Sequence, residues 1–351
     1  MSGKVARKNI ERYDIKRSPF SLHPTKRDLA VLLGETVNDL KTLSIPSFKE
    51  QFVVRRQAET GKKKKKLRDL VYPESRLRGI HERLKFHLNK VKQPSYLFSP
   101  RKNRSQRDNA ETHLDQDVYL TLDLKQFYPS TTAAMVRKWF QDELGIYPDV
   151  ARLLTDLSTI DEKVSFGSPL TPVLCTLVHR KMFDEIADVC DAYELRYTLW
   201  VDDLTISGRS IPAEILDKIR QIIRNHGLKS HKIRFSTGRR PVFITGIGVV
   251  GRKLIAPYTL NLKIQECWAD YHAANTVAER DQCIQTLLAN LGTARFIVGP
   301  KTAAGQKLSS EMNSLRQKKA KMYREDAAES LKRRTEARSL IGSSQIADVP
   351  F

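Results

Sequence analysis

Apolar and polar residues alternate over several short stretches of the chain. Val118–Leu124 reads VYLTLDL, Arg196–Val201 reads RYTLWV and Leu204–Ser207 reads LTIS. Successive strand side chains point to opposite faces, so runs of this length and period predict strands with a buried side. Only Asp202-Asp203 separates the last two runs, which predicts one β-hairpin with an acidic tip. Phe52–Val54 and Leu67–Tyr72 predict a second hairpin, with Glu59-Thr60-Gly61 and the Lys62–Lys66 run as its turn; Val242–Val250 is a further β-rich run. Helical spacing appears elsewhere. Thr25–Gly34 reads as a capped helix ending at Gly34. Residues 74–92 place Leu77, Ile80, Leu84 and Leu88 on one face. Residues 131–158 read as mostly helical. The turn Gly167-Ser168-Pro169-Leu170-Thr171-Pro172 opens a long helix from Val173 to about Asp191. Another helix runs from Ile211 to His226, stopped by Gly227. Residues 1–50 read as mainly helical, with breaks at Pro19 and Pro24. From Leu260 onward the chain is helical and polar, broken at Gly299-Pro300. No internal repeat is evident. The order strand, helix, helix, hairpin, helix, strand lacks a Gly-rich phosphate loop, which argues against P-loop and dinucleotide-binding folds. It predicts an α+β fold, an antiparallel sheet with helices on one face.

Charge changes this picture most. The 351 residues carry 61 Lys+Arg against 40 Asp+Glu, a net +21. Residues 1–110 alone hold 28 basic and 11 acidic side chains, so +17 lies in the first third. Self-repulsion on that scale destabilises a compact chain unless a polyanion neutralises it. Nucleic acid is the favoured partner over an anionic membrane surface, because no amphipathic helix with large exposed apolar residues is apparent. No apolar run approaches the roughly 20 residues that span a bilayer, and no signal peptide is evident. Cys175, Cys190, Cys267 and Cys283 lack paired ligand spacing and read as reduced cysteines of a cytoplasmic protein.

Candidate chemistry sits at the acidic hairpin. Adjacent carboxylates at a strand junction repel, and a fold tolerates them best beside a divalent cation. Asp123, at the end of a strand with similar surroundings, is a third acid. Asp123 and Asp202 at neighbouring strand ends would bridge two ions about 3.5–4 Å apart, with Asp203 beside them, as in-line displacement at phosphorus requires. Tyr128 follows Asp123 by five residues, where an aromatic ring would pack under a sugar and exclude a 2′-hydroxyl. Taken singly, an Asp pair reads first as a plain turn, Tyr128 as a core residue and the lysine run as a solvated loop; order and spacing across several segments carry the case.

Six segments in order resemble a known family. Asp123 to Ser130 is an Asp leading to Phe-Tyr-Pro-Ser. Gly167 to Pro172 is a Gly-Ser-Pro-x-Thr-Pro turn, and Trp200-Val201-Asp202-Asp203 stands where the family has Tyr-Ala-Asp-Asp. Arg68 to Pro73 reads Arg-x-x-x-x-Pro, Asn109 to His113 reads Asn-Ala-x-x-His, and Ile244-Thr245-Gly246 stands for Val-Thr-Gly. The chain resembles retron-type reverse transcriptases, bacterial polymerases of the palm-fingers-thumb (right-hand) fold. Departures are Trp200 for Tyr, Val201 for the smaller Ala, and Ser165-Phe166 where many relatives have Pro-Gln; none touches the three acids.

The resemblance implies N-terminal helices and fingers over 1–115, a palm over 116–258 with fingers interleaved around 131–165, and a helical thumb over 259–351. It implies catalysis by Asp123, Asp202 and Asp203, and two Mg²⁺ ions (Mn²⁺ as a substitute) at Asp123, Leu124, Asp202 and Asp203. Nucleotide contacts are expected from Arg68, Phe127, Tyr128, Phe166, Gly167 and Lys232. Primer or template contacts are expected from Asn109, His113, Trp200, Thr245, Gly246, Arg316, Lys318 and Lys319. Asn109 and His113 are read equally well as braces of a turn, and the basic C-terminal helix as a solvated face. The implied partners are dNTPs, a cognate structured non-coding RNA, and its branched RNA–DNA product (msDNA) primed from a guanosine 2′-hydroxyl. A separately encoded effector is expected in an anti-phage defence complex. The alternatives are another bacterial defence or group II intron-like reverse transcriptase, or a non-catalytic RNA-binding scaffold.

Overall fold

A computed structural model of the protein describes residues 12–21, 25–45, 52–58, 67–73 and 75–343. For 52–58, 67–69, 75 and 337–343 it describes the backbone alone. Two compact units part between Thr237 and Gly238. The Lys62–Lys66 run lies outside the described residues.

The first unit begins with α1 (Lys26–Leu33) and α2 (Val37–Leu43). Thr25 caps α1 by accepting the Asp28 N–H, and Gly34 ends it at φ +62°, where a residue without Cβ is favoured. An antiparallel hairpin of β1 (Phe52–Ala58) and β2 (Leu67–Pro73) follows, as the alternation predicts. Next come α3 (Ser75–Leu88), β3 (Leu97–Ser99), α4 (Gln106–Glu111), β4 (Val118–Leu124), α5 (Phe127–Ser130), α6 (Ala133–Asp142) and α7 (Pro148–Ser158). The unit ends with α8 (Thr171–Val178), α9 (Arg180–Ala192), β5 (Arg196–Trp200), β6 (Asp203–Gly208), α10 (Ala213–Asn225) and β7 (Ser230–Thr237).

Five strands form one sheet in the order β3-β5-β6-β4-β7. β3 runs parallel to β5, so the sheet is mixed rather than purely antiparallel. The single helix expected over 173–191 is two, because the chain breaks helical geometry at His179 (ψ +14°). Leu120, Leu122 and Leu124 are buried along β4. They join one core with Leu77, Ile80, Leu84 and Leu88 of α3, Leu199 and Leu204 of the hairpin, and Ile215, Ile219 and Ile223 of α10. With those leucines on the core side, Asp123 necessarily faces the other way.

Among the described residues of this unit, three histidines are buried. His81 donates from Nε2 to the Leu157 carbonyl (2.7 Å), leaving Nδ1 to accept from the Ser168 hydroxyl (2.6 Å). His113 bonds the Ser207 and Thr198 hydroxyls at 2.7 and 2.8 Å. His179 donates to Thr131 Oγ1 (3.0 Å), whose own hydrogen goes to the Phe127 carbonyl. Burial pushes His81 down to about 4, and burial with the nearby Arg196 charge pushes His113 down to about 3. Burial and the charge of His226 bring His179 to about 4. Each is neutral when folded and titrates near 6.5 when unfolded, so the unfolded chain binds more protons as pH falls. Stability is therefore expected to drop between pH 7.5 and 5.5 by about 1.4 kcal/mol per histidine, roughly 4 kcal/mol in all. Urea midpoints at the two pH values measure this; a flat profile would mean the rings are not held neutral.

In the second unit, β8 (Val242–Ile244), β9 (Ile247–Val250) and β10 (Lys253–Ile255) form an antiparallel sheet. Three helices follow: α11 (Tyr258–Ala273), α12 (Val277–Val298) and α13 (Ala303–Ser343). Ile284, Leu287 and Leu291 of α12 pack with Met312 and Leu315 of α13, and Ile264 and Trp268 of α11 lie against them. Among the described residues no helix is long and apolar enough to cross a membrane.

Candidate active site

Strand register brings the acids together. Asp123 pairs directly with Asp203 across β4 and β6, while Asp202 occupies the turn just before β6. That turn is pinned twice: Val201 N–H donates to the Ser99 carbonyl (3.0 Å), and Leu124 N–H donates to the Asp202 carbonyl (2.9 Å). It is also strained. Val201 has φ +62°, a conformation that costs a β-branched residue on the order of 1–3 kcal/mol. Leu124 itself is buried.

The charges at this tip are poorly compensated. Burial, then the charges of Asp123 and Asp203, raises Asp202 to about 6. Burial and Asp123 raise Asp203 as well. Asp123 is held differently: Lys232 Nζ contacts its carboxylate, and His231 Nδ1 lies 3.3 Å from its carbonyl oxygen and 3.8 Å from its carboxylate. Lys232 reaches it because β7 bulges where its register against β4 shifts, giving Lys232 φ +52°. The resemblance names Lys232 among the expected nucleotide contacts; it does not name His231, and nothing in the polar run Ser230–Thr237 marks a strand beside Asp123.

The donor set fits a hard divalent cation: carboxylates raised by burial and then by one another's charge, with an ammonium standing where positive charge is wanted. Among the described residues, however, no three His, Cys, Asp or Glu side chains converge on a single metal position as they stand. Asp123 is turned onto Lys232 instead.

Neighbouring segments complete the surroundings. Tyr128 packs its ring 5.5 Å from that of Phe166. Its hydroxyl is raised above the ordinary range by burial, then by Cys175 and Asp202. Gly167 has φ +130°, and a Cβ there would lie 3.1 Å from the Val71 carbonyl oxygen. Val71 N–H donates to the Phe166 carbonyl (2.7 Å), tying this turn to β2. Arg68 lies on β2, but its side chain is outside the described residues. Trp200 pairs with Asp203 across β5 and β6.

Burial bears on three of the expected contacts. Phe127 places its ring in the core, against His179 and Phe183, so the ring does not line the site. Asn109 and His113 are 1% and 0% exposed, so neither touches template; His113 instead ties β5 to β6. In the second unit, Thr245 and Gly246 form the β8–β9 turn at φ +47° and +85°. Lys319 is held 2.6 Å from Asp281, and Lys318 lies over the Trp268 and Tyr271 rings. Arg316 is exposed.

The reverse transcriptase (RNA-dependent DNA polymerase) family matches residues 60–249, more than half of the chain. The protein belongs to the reverse transcriptase family. Its relatives bear out the resemblance to retron-type enzymes. Retron Se72 reverse transcriptase of Salmonella heidelberg (strain 579083-10) is 28% identical over 174 residues, 49% of this chain and 45% of that protein. Retron Mx65 reverse transcriptase of Myxococcus xanthus is 29% identical over 241 residues, 62% and 55% of the two chains. The chain thus spans about half the length of the curated relatives it matches. Among solved structures, telomerase from Candida albicans, determined with a fragment of telomeric RNA, covers 80% of this chain and 62% of its own at TM-score 0.42 and 9% identity, too faint a likeness to build on. Reverse transcriptases generally use divalent metal ions, which agrees with the chemistry of the three acids.

Proposed function

We propose that the protein is the RNA-directed DNA polymerase of a retron, copying part of a cognate structured non-coding RNA into DNA. The gathering of Asp123, Asp202 and Asp203 at one end of a sheet, inside the family-matched segment, carries this reading. The reaction is attack of a primer hydroxyl on the α-phosphorus of a dNTP, releasing pyrophosphate. Asp123, Leu124, Asp202 and Asp203 would hold two Mg²⁺ or Mn²⁺ ions, which supply charge stabilisation to attacking and leaving oxygens. The chain's own groups position the reactants. Asp123 and Asp203 are fixed by facing strands, and Lys232 adds a cationic contact beside Asp123. Gly167 admits close backbone approach between the turn and β2.

The first primer is taken to be a guanosine 2′-hydroxyl within the RNA, giving branched msDNA. A separate effector protein would join the resulting defence complex. The test is to purify the protein from its host and digest the bound nucleic acid with RNase and DNase separately. Short DNA joined to RNA at a branch, absent from the Asp202→Ala/Asp203→Ala double variant, is expected. RNA without DNA would sink the polymerase reading, and unbranched DNA would sink the retron one.

Tyr128, packed on Phe166, would exclude the ribose 2′-hydroxyl. Tyr128→Ala is expected to raise ribonucleotide incorporation relative to deoxynucleotide by about 10–100-fold. Single-nucleotide extension with rATP and dATP measures it, and an unchanged ratio removes Tyr128 from sugar choice.

A further inference from the structure

A cavity of about 420 Å³ opens between the last turn of α3 and the loop after β3, and none of its lining residues belongs to the acid site. Phe86 stands in it 55% exposed, with Lys90 Nζ 4.1 Å from the ring centroid. Arg12, Lys90, Arg101 and Lys102 line it, and none of the four has an ion-pair partner among the described residues. The one acid in the lining, Glu82, is already paired with Lys85 at 3.2 Å. Arg101 is fixed in place by donating to the Pro94 and Leu97 carbonyls at 2.7 and 3.4 Å. Burial, and then the charges of Arg104 and Arg12, lower its pKa.

The exposed ring and the cations call for one ligand. A free phosphate would use the cations but not the ring. An apolar peptide would use the ring and leave the cations uncompensated. A nucleotide brings a planar base for Phe86 and phosphates for the cations. We propose that this cavity binds one unpaired nucleotide of a nucleic-acid strand, its base on Phe86 and its flanking phosphates on Arg101 and Lys102. Shared between base and ring, Lys90 reaches toward phosphate when the base enters.

This site is independent of polymerisation, so it is tested without dNTPs on the full chain. An eight-residue oligoadenylate carrying one 8-azidoadenosine is photocrosslinked, and the labelled peptide is identified. Label on the peptide containing Phe86 is expected. By anisotropy, Phe86→Ala is expected to weaken octamer binding about tenfold and Phe86→Trp to retain it. Lys102→Gln is expected to reduce the slope of log affinity against log salt by about 0.7. Both variants should keep the wild-type melting midpoint, since both side chains are exposed. Ribo- and deoxy-octamers are run in parallel; label from either supports the site and identifies its strand. Label confined to other peptides, or wild-type binding by both Phe86→Ala and Lys102→Gln, would overturn it. Absent DNA synthesis by the wild-type chain would sink the polymerase reading and leave this result standing.

Discussion

Asp202→Asn is expected to lower deoxynucleotide incorporation by at least about 10³-fold and, in EDTA, to raise resistance to urea. Both effects come from one arrangement. Three carboxylates share the end of a sheet, and among the described residues only Asp123 has an ammonium in contact with it, that of Lys232. Asp202 is raised to about 6 from an ordinary value near 3.8. A carboxyl raised in this way contributes its stability below the unfolded value and loses it as pH rises through about 6. At pH 7.5 the charged form therefore costs on the order of 3 kcal/mol before solvent screening. Asparagine keeps the shape and removes the charge, so a gain of about 1–2 kcal/mol is expected after screening. Single-turnover extension and urea midpoints in EDTA read the two effects. Loss of both activity and stability would show that Asp202 is held by attraction in the protein itself.

His113→Ala is expected to cost the first unit about 4 kcal/mol. The ring bridges Thr198 of β5 and Ser207 of β6, and both hydroxyls are buried with it. Removing it leaves two buried hydroxyls unpaired, about 1–3 kcal/mol each, and adds an unfilled cavity. His113→Gln, able to keep one bond, should cost about half as much. The acidic turn lies between these two strands, so activity should fall with the folded fraction. Affinity for RNA, measured where the chain is still folded, should stay within about twofold. A protein of wild-type stability that binds RNA poorly would return His113 to a contact role.

Much of the site was legible because its determinants are local. The β5–β6 hairpin follows from alternation around Asp202-Asp203, and β4 from VYLTLDL, so the meeting of Asp123 with Asp203 needed only their antiparallel pairing. The helix Thr25–Gly34 follows from its cap and its closing glycine. What escaped depends on distant partners. β3 is three residues long and exists only through parallel pairing with β5, a hundred residues away. β7 reads SHKIRFST and shows half-exposed positions throughout, because it pairs through backbone with β4 and buries little. His113 and Asn109 carry polar side chains in a polar stretch. Nothing local shows that the capping box of Ser105 and Asp108 turns α4 so that Asn109 points inward.

Lys232 bears on how the molecule is made. Its ammonium already neutralises Asp123, so the nascent chain can complete its fold with an internal counterion and no imported one. Maturation is then uncoupled from mineral supply. The chain is expected to stay folded under chelation, which silences synthesis and removes only the stabilisation that bound ions add.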